Sequence, residues 1–205
     1  MRLTQEQFEH QKELIMESAF HIFSKKGYTA TTISDIAEHA NISRSPIYYH
    51  FHDKTNLFNI VFQNCCMEIS DMTETIFRQN RDIFSKFTDE LEELLTPHFR
   101  AMEQLKWDTL SGIPELVTAS NYFNMHKQRI LKLKIEAVKN AQASGELKPD
   151  FDPLVLVLTM FVFYNGLCSP ASGWMKSISS AEIGTSDDII HSFISGQKSR
   201  YAQSL

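Results

Sequence analysis

The stretch Thr31–Lys54, TTISDIAEHANISRSPIYYHFHDK, sets two short amphipathic segments back to back, joins them by three residues and closes on adjacent tyrosines and two histidines. Thr32 followed by Asp35 is a capping-box pattern, in which side chain and backbone at a helix start satisfy each other's hydrogen bonds. Ile33, Ile36, Ala37 and Ala40 then recur at i, i+3, i+4 and i+7, the spacing of one buried helical face. The pattern predicts a helix of about two turns. Asn41 tolerates the left-handed backbone of a tight turn, Ile42 is placed to plug a core, and Ser43 to cap a helix that starts at Arg44. Pro46 would break a helix interior but costs nothing in the first turn, where its missing N–H has no intrahelical partner. Ile47 and Phe51, four apart, point inward. Ser45 and Tyr49 are left on the opposite face, with Tyr48 and His50 on its flanks.

Working outward, Thr4 and Gln7 repeat the capping pattern, and Phe8, Ile15, Ala19, Ile22 and Phe23 share a face. This predicts a first helix from about Thr4 to Lys26, ended by Gly27. Asp53 is placed to cap a fourth helix with Lys54 at its start, where amides, dipole and ammonium would together favour a phosphate. Two short helices joined by a three-residue turn make a helix-turn-helix, whose second helix can enter a DNA major groove. Short helical hairpins also occur in proteins that never touch DNA, and a plain structural turn is the competing reading. The residue types favour DNA: a bare turn has no need of an exposed Arg44-Ser45-Pro46 or of Tyr48, Tyr49, His50 and Lys54 around one surface, and those are types that meet phosphates and bases.

The whole chain bounds this reading. Its 205 residues are 42% hydrophobic and 11% aromatic, with only seven glycines and six prolines. That is enough to build a core, and the long 3.6-residue periodicities make the chain all-α. The N-terminus lacks the apolar run of a signal peptide, and Leu154–Tyr164 falls short of the roughly 18 residues that span a bilayer, so the expectation is a cytoplasmic protein with no membrane association. Cys65, Cys66 and Cys168 do not form a disulfide framework and read as reduced thiols. Net charge is −5, and residues 1–60 hold six Lys/Arg against seven Asp/Glu. Bulk charge therefore gives no support for nucleic-acid binding, which must rest on where the charges sit.

The segment Ala19–Phe58, AFHIFSKKGYTATTISDIAEHANISRSPIYYHFHDKTNLF, resembles the TetR family of bacterial transcriptional regulators. The matching features are the Phe and Gly27-Tyr28 closing the first helix, Thr32 before Ile36-Ala37, Ile42-Ser43, then Tyr48-x-x-Phe51-x-x-Lys54 and Leu57; they cover roughly the first quarter of the chain. The resemblance implies that Thr32, Tyr48, His50 and Lys54 touch DNA phosphates and that Ser34, Arg44, Ser45 and Tyr49 lie nearest the bases, with Pro46 in the same helix start. Asn41 stands where the family usually has Gly, and Arg44-Ser45-Pro46 replaces a common small-residue start, which leaves the operator sequence open.

The expected organisation is a helix-turn-helix domain over residues 1–53 and a helical ligand-binding and dimerisation domain over 54–205. The fourth helix continues through Leu57, Val61, Cys65, Ile69, Met72 and Ile76; in the family such a helix carries a ligand signal, and the plainer reading is a long core helix. Further helices are expected from about Phe84 to Leu95, through Phe99, Met102 and Leu105, from Pro114 to Phe123, from Asn124 to Ala143, after Asp152-Pro153, and near Asp187 to Tyr201. In the family the last two long helices form a dimeric four-helix bundle, which implies a homodimer on a palindromic DNA operator. Candidate effector contacts are Met102, Trp107, Tyr122, Phe123, Met125, Phe161 and Tyr164, a mix of apolar surface and hydrogen-bonding handles suited to a hydrophobic or aromatic small molecule. Trp174 and Met175, in a loop-prone stretch, are a lid or surface packing. Lys127, Arg129, Lys132 and Lys134 read as a solvated face, with an anionic ligand tail as the alternative. His98, His126 and His191 sit apart from carboxylate pairs at ligand spacing, and no phosphate-cradling glycine loop or Gly-x-Ser-x-Gly elbow occurs, so neither an enzyme, a metal nor a cofactor is expected. A ligand-responsive repressor is the leading expectation; a DNA-binding protein whose C-terminal domain docks a protein partner is the alternative.

Overall fold

A computed structural model of the protein describes residues 4–168 and 186–203. Among them are ten α-helices, one short 3-10 helix and no strand: α1 (Gln5–Ala30), α2 (Ile33–His39), α3 (Arg44–Phe51), α4 (Lys54–Phe77), α5 (Ile83–Leu94), α6 (Pro97–Ala101), α7 (Glu103–Leu110), the 3-10 turn Pro114–Leu116, α8 (Val117–Ala143), α9 (Pro153–Cys168) and α10 (Ser186–Tyr201). Trp174 and Met175 lie outside the described residues. No helix among the described residues is long and apolar enough to cross a membrane.

The chain divides into two compact units. One comprises the chain up to Glu68 together with Ala101–His126, and the other Ile69–Arg100 with the chain from Lys127 onward. The first unit thus contains the helix-turn-helix and also α7 and the start of α8. Its core takes up most of the face read from sequence: Ile15, Ala19, Ile22 and Phe23 from α1, Ile33, Ile36 and Ala37 from α2, Ile47 and Phe51 from α3, and Leu57 and Val61 from α4 are buried, joined by Phe58 and Phe62, while Phe8 is only half-buried. Phe58 meets Phe23 edge-on at 5.0 Å and Tyr28 at 5.1 Å, arrangements that add to the burial of each ring. α7 lies against α1.

In the second unit α5 is strongly amphipathic. Ile83, Phe84, Phe87 and Leu91 join Ile76, Phe77, Val138, Leu147, Leu156, Val157, Met160, Ile190 and Ile194 in one core. Asp82 caps α5 by accepting from the Ser85 N–H at 3.0 Å. Within this core Glu90 is almost wholly buried, accepting from the Thr73 hydroxyl at 2.9 Å and pairing with Lys134 at 2.6 Å; pairing is what makes a buried carboxylate tolerable. Beyond α10 the chain is clipped to the 145–148 turn by Lys148 N–H to Tyr201 C=O at 2.9 Å and Gln203 N–H to Glu146 C=O at 3.0 Å.

Two sequence expectations change. Pro114 opens a 3-10 turn, and the two helices expected over 114–143 are one, Val117–Ala143; Asn124 sits on an exposed face, where its side chain competes little with the helix backbone. The Phe99–Leu105 stretch is split between α6 and α7. α9 buries Leu156, Val157 and Met160 and exposes Val155, Leu158, Phe161 and Val162.

Candidate nucleic-acid interface

The local signals of the helix-turn-helix form as the sequence predicts. Both capping boxes close, Thr4 with Gln7 and Thr32 with Asp35. Asn41 adopts φ 54°, the left-handed conformation expected of the turn. Asp53 caps α4 by accepting from the Asn56 N–H at 2.7 Å. Ser43 occupies the N-cap of α3 but its hydroxyl makes no capping bond, so it is exposed rather than consumed by the helix end. Arg44 and Ser45 are exposed beside it, with Pro46 half-buried. Ile47 and Phe51 are buried, while Tyr48 and Tyr49 remain 49% and 73% exposed. Large aromatic side chains left this open on a short, well-anchored helix give α3 an outer surface available to a partner.

The other sequence-selected residues are more engaged. Ser34 is exposed on α2. The Thr32 hydroxyl accepts from the Asp35 N–H at 3.2 Å and donates to its carboxylate at 2.8 Å. The Lys26 ammonium, hydrogen-bonded to Asp35 at 2.8 Å, and then Thr32 hold that carboxyl down at about 2. His50 turns toward α1: its ring lies 4.3 Å from that of Phe8, and Nε2 is 3.1 Å from Gln11 Oε1. Burial, then Lys12, pulls its pKa down against the opposing pull of Glu9. Lys54 departs furthest from expectation. Its ammonium donates to the C=O of Tyr28 and of Thr31, both at 2.9 Å, and sits 4.2 Å from the centre of the Tyr28 ring. Burial lowers its pKa, opposed by Glu115. Two of its three protons thus cap the end of α1; one donor is left for a phosphate.

The effector candidates fall in both units. Met102, Trp107, Tyr122, Phe123 and Met125 belong to the first unit, Phe161 and Tyr164 to the second. Tyr122 accepts at its hydroxyl from Gln63 Nε2 at 2.6 Å and stacks on buried His126 at 5.3 Å between ring centres; Phe123 lies near Phe62. Met102 is core, whereas Met125 and Phe161 are exposed, the latter under the Lys127 ammonium. Trp107 Nε1 and Asn59 Oδ1 are buried without a hydrogen-bond partner. The basic run splits: Arg129 pairs with Glu74 and Lys134 with Glu90, while Lys132 is exposed.

Residues 15–61 match the model of the bacterial regulatory proteins of the tetR family. In this segment the chain is similar to the TetR family of bacterial regulatory proteins. It is similar to the biofilm operon icaADBC HTH-type negative transcriptional regulator IcaR of Staphylococcus aureus (strain Newman), with 27% identity over 150 residues, 71% of this chain and 78% of IcaR. In fold it is similar to a transcriptional regulator from Saccharomonospora viridis crystallised with choline, TM-score 0.77 at 18% identity over 96% of this chain and 99% of that one. The ketosteroid transcriptional regulator KstR2 of Mycobacterium tuberculosis gives a TM-score of 0.68 at 16% identity, covering 95% and 96%. IcaR is by name a transcriptional regulator, and among the described residues no group of three or more His, Cys, Asp or Glu is gathered as a metal site.

The residues that the sequence did not single out are those whose partners are remote. Gln11 and Phe8 became relevant only through His50, and Gln63, on the face of α4 shared with Asn59, only through Tyr122. Asp108, which accepts from the Tyr28 N–H at 2.7 Å across 80 positions, carried no local signal at all.

Proposed function

We propose that this regulator is a homodimeric, ligand-responsive repressor that binds a palindromic DNA operator through α3 and is released by a small hydrophobic or aromatic effector. The carrying observation is the outer face of α3, where Arg44, Ser45, Tyr48 and Tyr49 are exposed on a helix fixed from beneath by Ile47 and Phe51. In this reading residues 1–53 form the DNA-reading module. Arg44, Ser45, Tyr49 and Ser34 lie at the bases, and Thr32, Tyr48, His50 and the remaining Lys54 proton at phosphates, with Pro46 setting the helix start. Residues 54–205 carry effector binding and dimerisation. Repression is supported by the name of IcaR as a negative regulator. An effector is supported by the choline complex of the Saccharomonospora regulator, and by the buried Trp107 Nε1 and Asn59 Oδ1, a donor and an acceptor left for a ligand. Dimerisation is supported by the exposed Val155, Leu158, Phe161 and Val162 of α9, an apolar face that a second copy would cover. An effector weakens DNA binding only by its preference for the DNA-incompetent conformer.

Footprinting of the purified protein on DNA flanking its own coding region tests the reading. A protected inverted repeat is expected, and no preference for any such fragment over random duplex overturns it. A thermal-shift screen of hydrophobic compounds, in which a folded-state ligand raises the melting temperature with concentration, tests the effector.

A further inference from the structure

One residue at the end of α1 is held from two directions by opposite charges. The Tyr28 N–H donates to Asp108 Oδ2 on α7 at 2.7 Å, and the Tyr28 C=O accepts from Lys54 Nζ on α4 at 2.9 Å. The Tyr28 phenol is 2.8 Å from the Thr55 hydroxyl. The second carboxylate oxygen of Asp108 accepts from Gln104 Nε2 at 3.0 Å, which fixes the carboxylate in place. The arrangement exists because Gly27, at φ 76° and ψ 168°, breaks the helix there. The break leaves the Tyr28 N–H without a helical acceptor, and a buried amide must find another. Asp108 is that acceptor, in a charge-assisted bond stronger than a neutral one. α2 and α3 both rest on α1, so what fixes the end of α1 bears on where the recognition helix stands.

We propose that Asp108, acting through Tyr28, is a positioning residue for operator recognition, so that α7 helps set the pose of α3. The inference rests on the reading of this chain as an operator-binding regulator. It makes α7 part of the DNA-binding apparatus although it lies far outside residues 1–53. A purely local role, capping the broken helix, would change stability and nothing else.

The test uses full-length Asp108→Ala, Asp108→Asn, Lys54→Met and the Asp108→Ala/Lys54→Met double variant. Affinity for the footprinted upstream fragment and for random duplex is measured by fluorescence anisotropy over a salt series, at a temperature where circular dichroism shows every variant folded. Asp108→Ala is expected to weaken operator binding about tenfold, within the usual range of coupling between sites. Its random-duplex affinity and salt slope stay unchanged, because Asp108 neutralises no phosphate. Asp108→Asn, which keeps an acceptor oxygen, retains most of the operator affinity. The double variant loses less than the sum of the single losses, since both act on Tyr28. An operator-to-random ratio for Asp108→Ala within about twofold of wild type, whatever its melting temperature, overturns the proposal. Wild-type protein that does not distinguish the upstream fragment from random duplex overturns the regulator reading as well, and the wild-type titration alone identifies that case.

Discussion

Replacing Gly27 by alanine should strain the junction of α1 and α7 in two separable ways. At φ 76° and ψ 168° the backbone occupies a region almost reserved for glycine, and holding another residue there costs about 1–3 kcal/mol. A Cβ would also lie 3.2 Å from Gln104 Nε2 and 3.3 Å from Asp108 Oδ2, so the carboxylate must retreat from the Tyr28 N–H. Stretching that 2.7 Å hydrogen bond by a few tenths of an ångström forfeits part of the about 1.5–3 kcal/mol it contributes. Reduced freedom of the unfolded chain returns about 0.4–1 kcal/mol. The balance is a destabilisation of about 1–4 kcal/mol, or a melting temperature lower by roughly 2–15 °C for a chain of this size. Gly145→Ala is the internal control: its φ is 80° but nothing lies within 4 Å of the added carbon, so only left-handed strain of about 1 kcal/mol applies. Urea unfolding followed by circular dichroism reads both. In an Asp108→Ala background the Gly27→Ala cost should fall toward the strain alone, about 1–3 kcal/mol. A Gly27→Ala variant no less stable than Gly145→Ala would refute the claim that Asp108 is clamped against this break.

Arg44→Ala should cost about 1–3 kcal/mol at the specific operator and relax base preference, checked by titrating operator variants. Lys54→Ala should lower the melting temperature as well as DNA affinity, because its ammonium holds two carbonyls of the α1 end; a change in the salt slope of about one unit with unaltered stability would mark it as a phosphate contact alone. The Asp35 carboxyl is held at about 2 by Lys26 and Thr32. A depressed acid contributes stability above its ordinary value of 3.8, lost as pH falls toward 2, so Lys26→Met should flatten this arm of an acid-unfolding curve. Val162, 68% exposed on α9, changed to glutamate should shift sedimentation from dimer to monomer, and an unchanged dimer would place the interface elsewhere.

What could be read from sequence here was what is decided within a few residues. Thr32 and Asp35 cap because they are three apart, Asn41 turns because its side chain tolerates positive φ, and Ile47 and Phe51 bury because they share one helical face. Each of these is fixed by covalent neighbours, and each formed as expected. The features that sequence left out are decided by groups far away in the chain. Lys54 looked like a phosphate ligand because its helix start offers one; only the broken end of α1, more than twenty positions earlier, supplies carbonyls that compete for the same ammonium. His50 looked solvent-facing until Phe8 and Gln11 were placed beside it. The effector candidates were chosen by residue type, and type does not distinguish Met102, sealed in a core, from Met125, left outside.

The distribution of charge then constrains how such a surface could hold DNA. On α1 the exposed side chains include Glu6, Glu9, Glu13 and Glu17, and Lys26 is committed to Asp35. Near α3, Arg44 is an exposed cation, while Lys54 spends most of its hydrogen-bonding capacity within the protein. With Lys25 exposed and Lys12 half-buried on α1 in addition to Arg44, the module draws on a small set of cations for counterion release, the main source of sequence-independent affinity. On the proposed reading, discrimination comes from the fit of the hydroxyls of Ser34, Ser45, Tyr48 and Tyr49 and the guanidinium of Arg44 against one groove shape. Groups of that kind work only when held in register, and for α3 the register is set by the burial of Ile47 and Phe51 and by what anchors α1. On that reading the acidic character of the chain and the anchoring of α1 act together: with a modest general attraction, recognition depends on geometry.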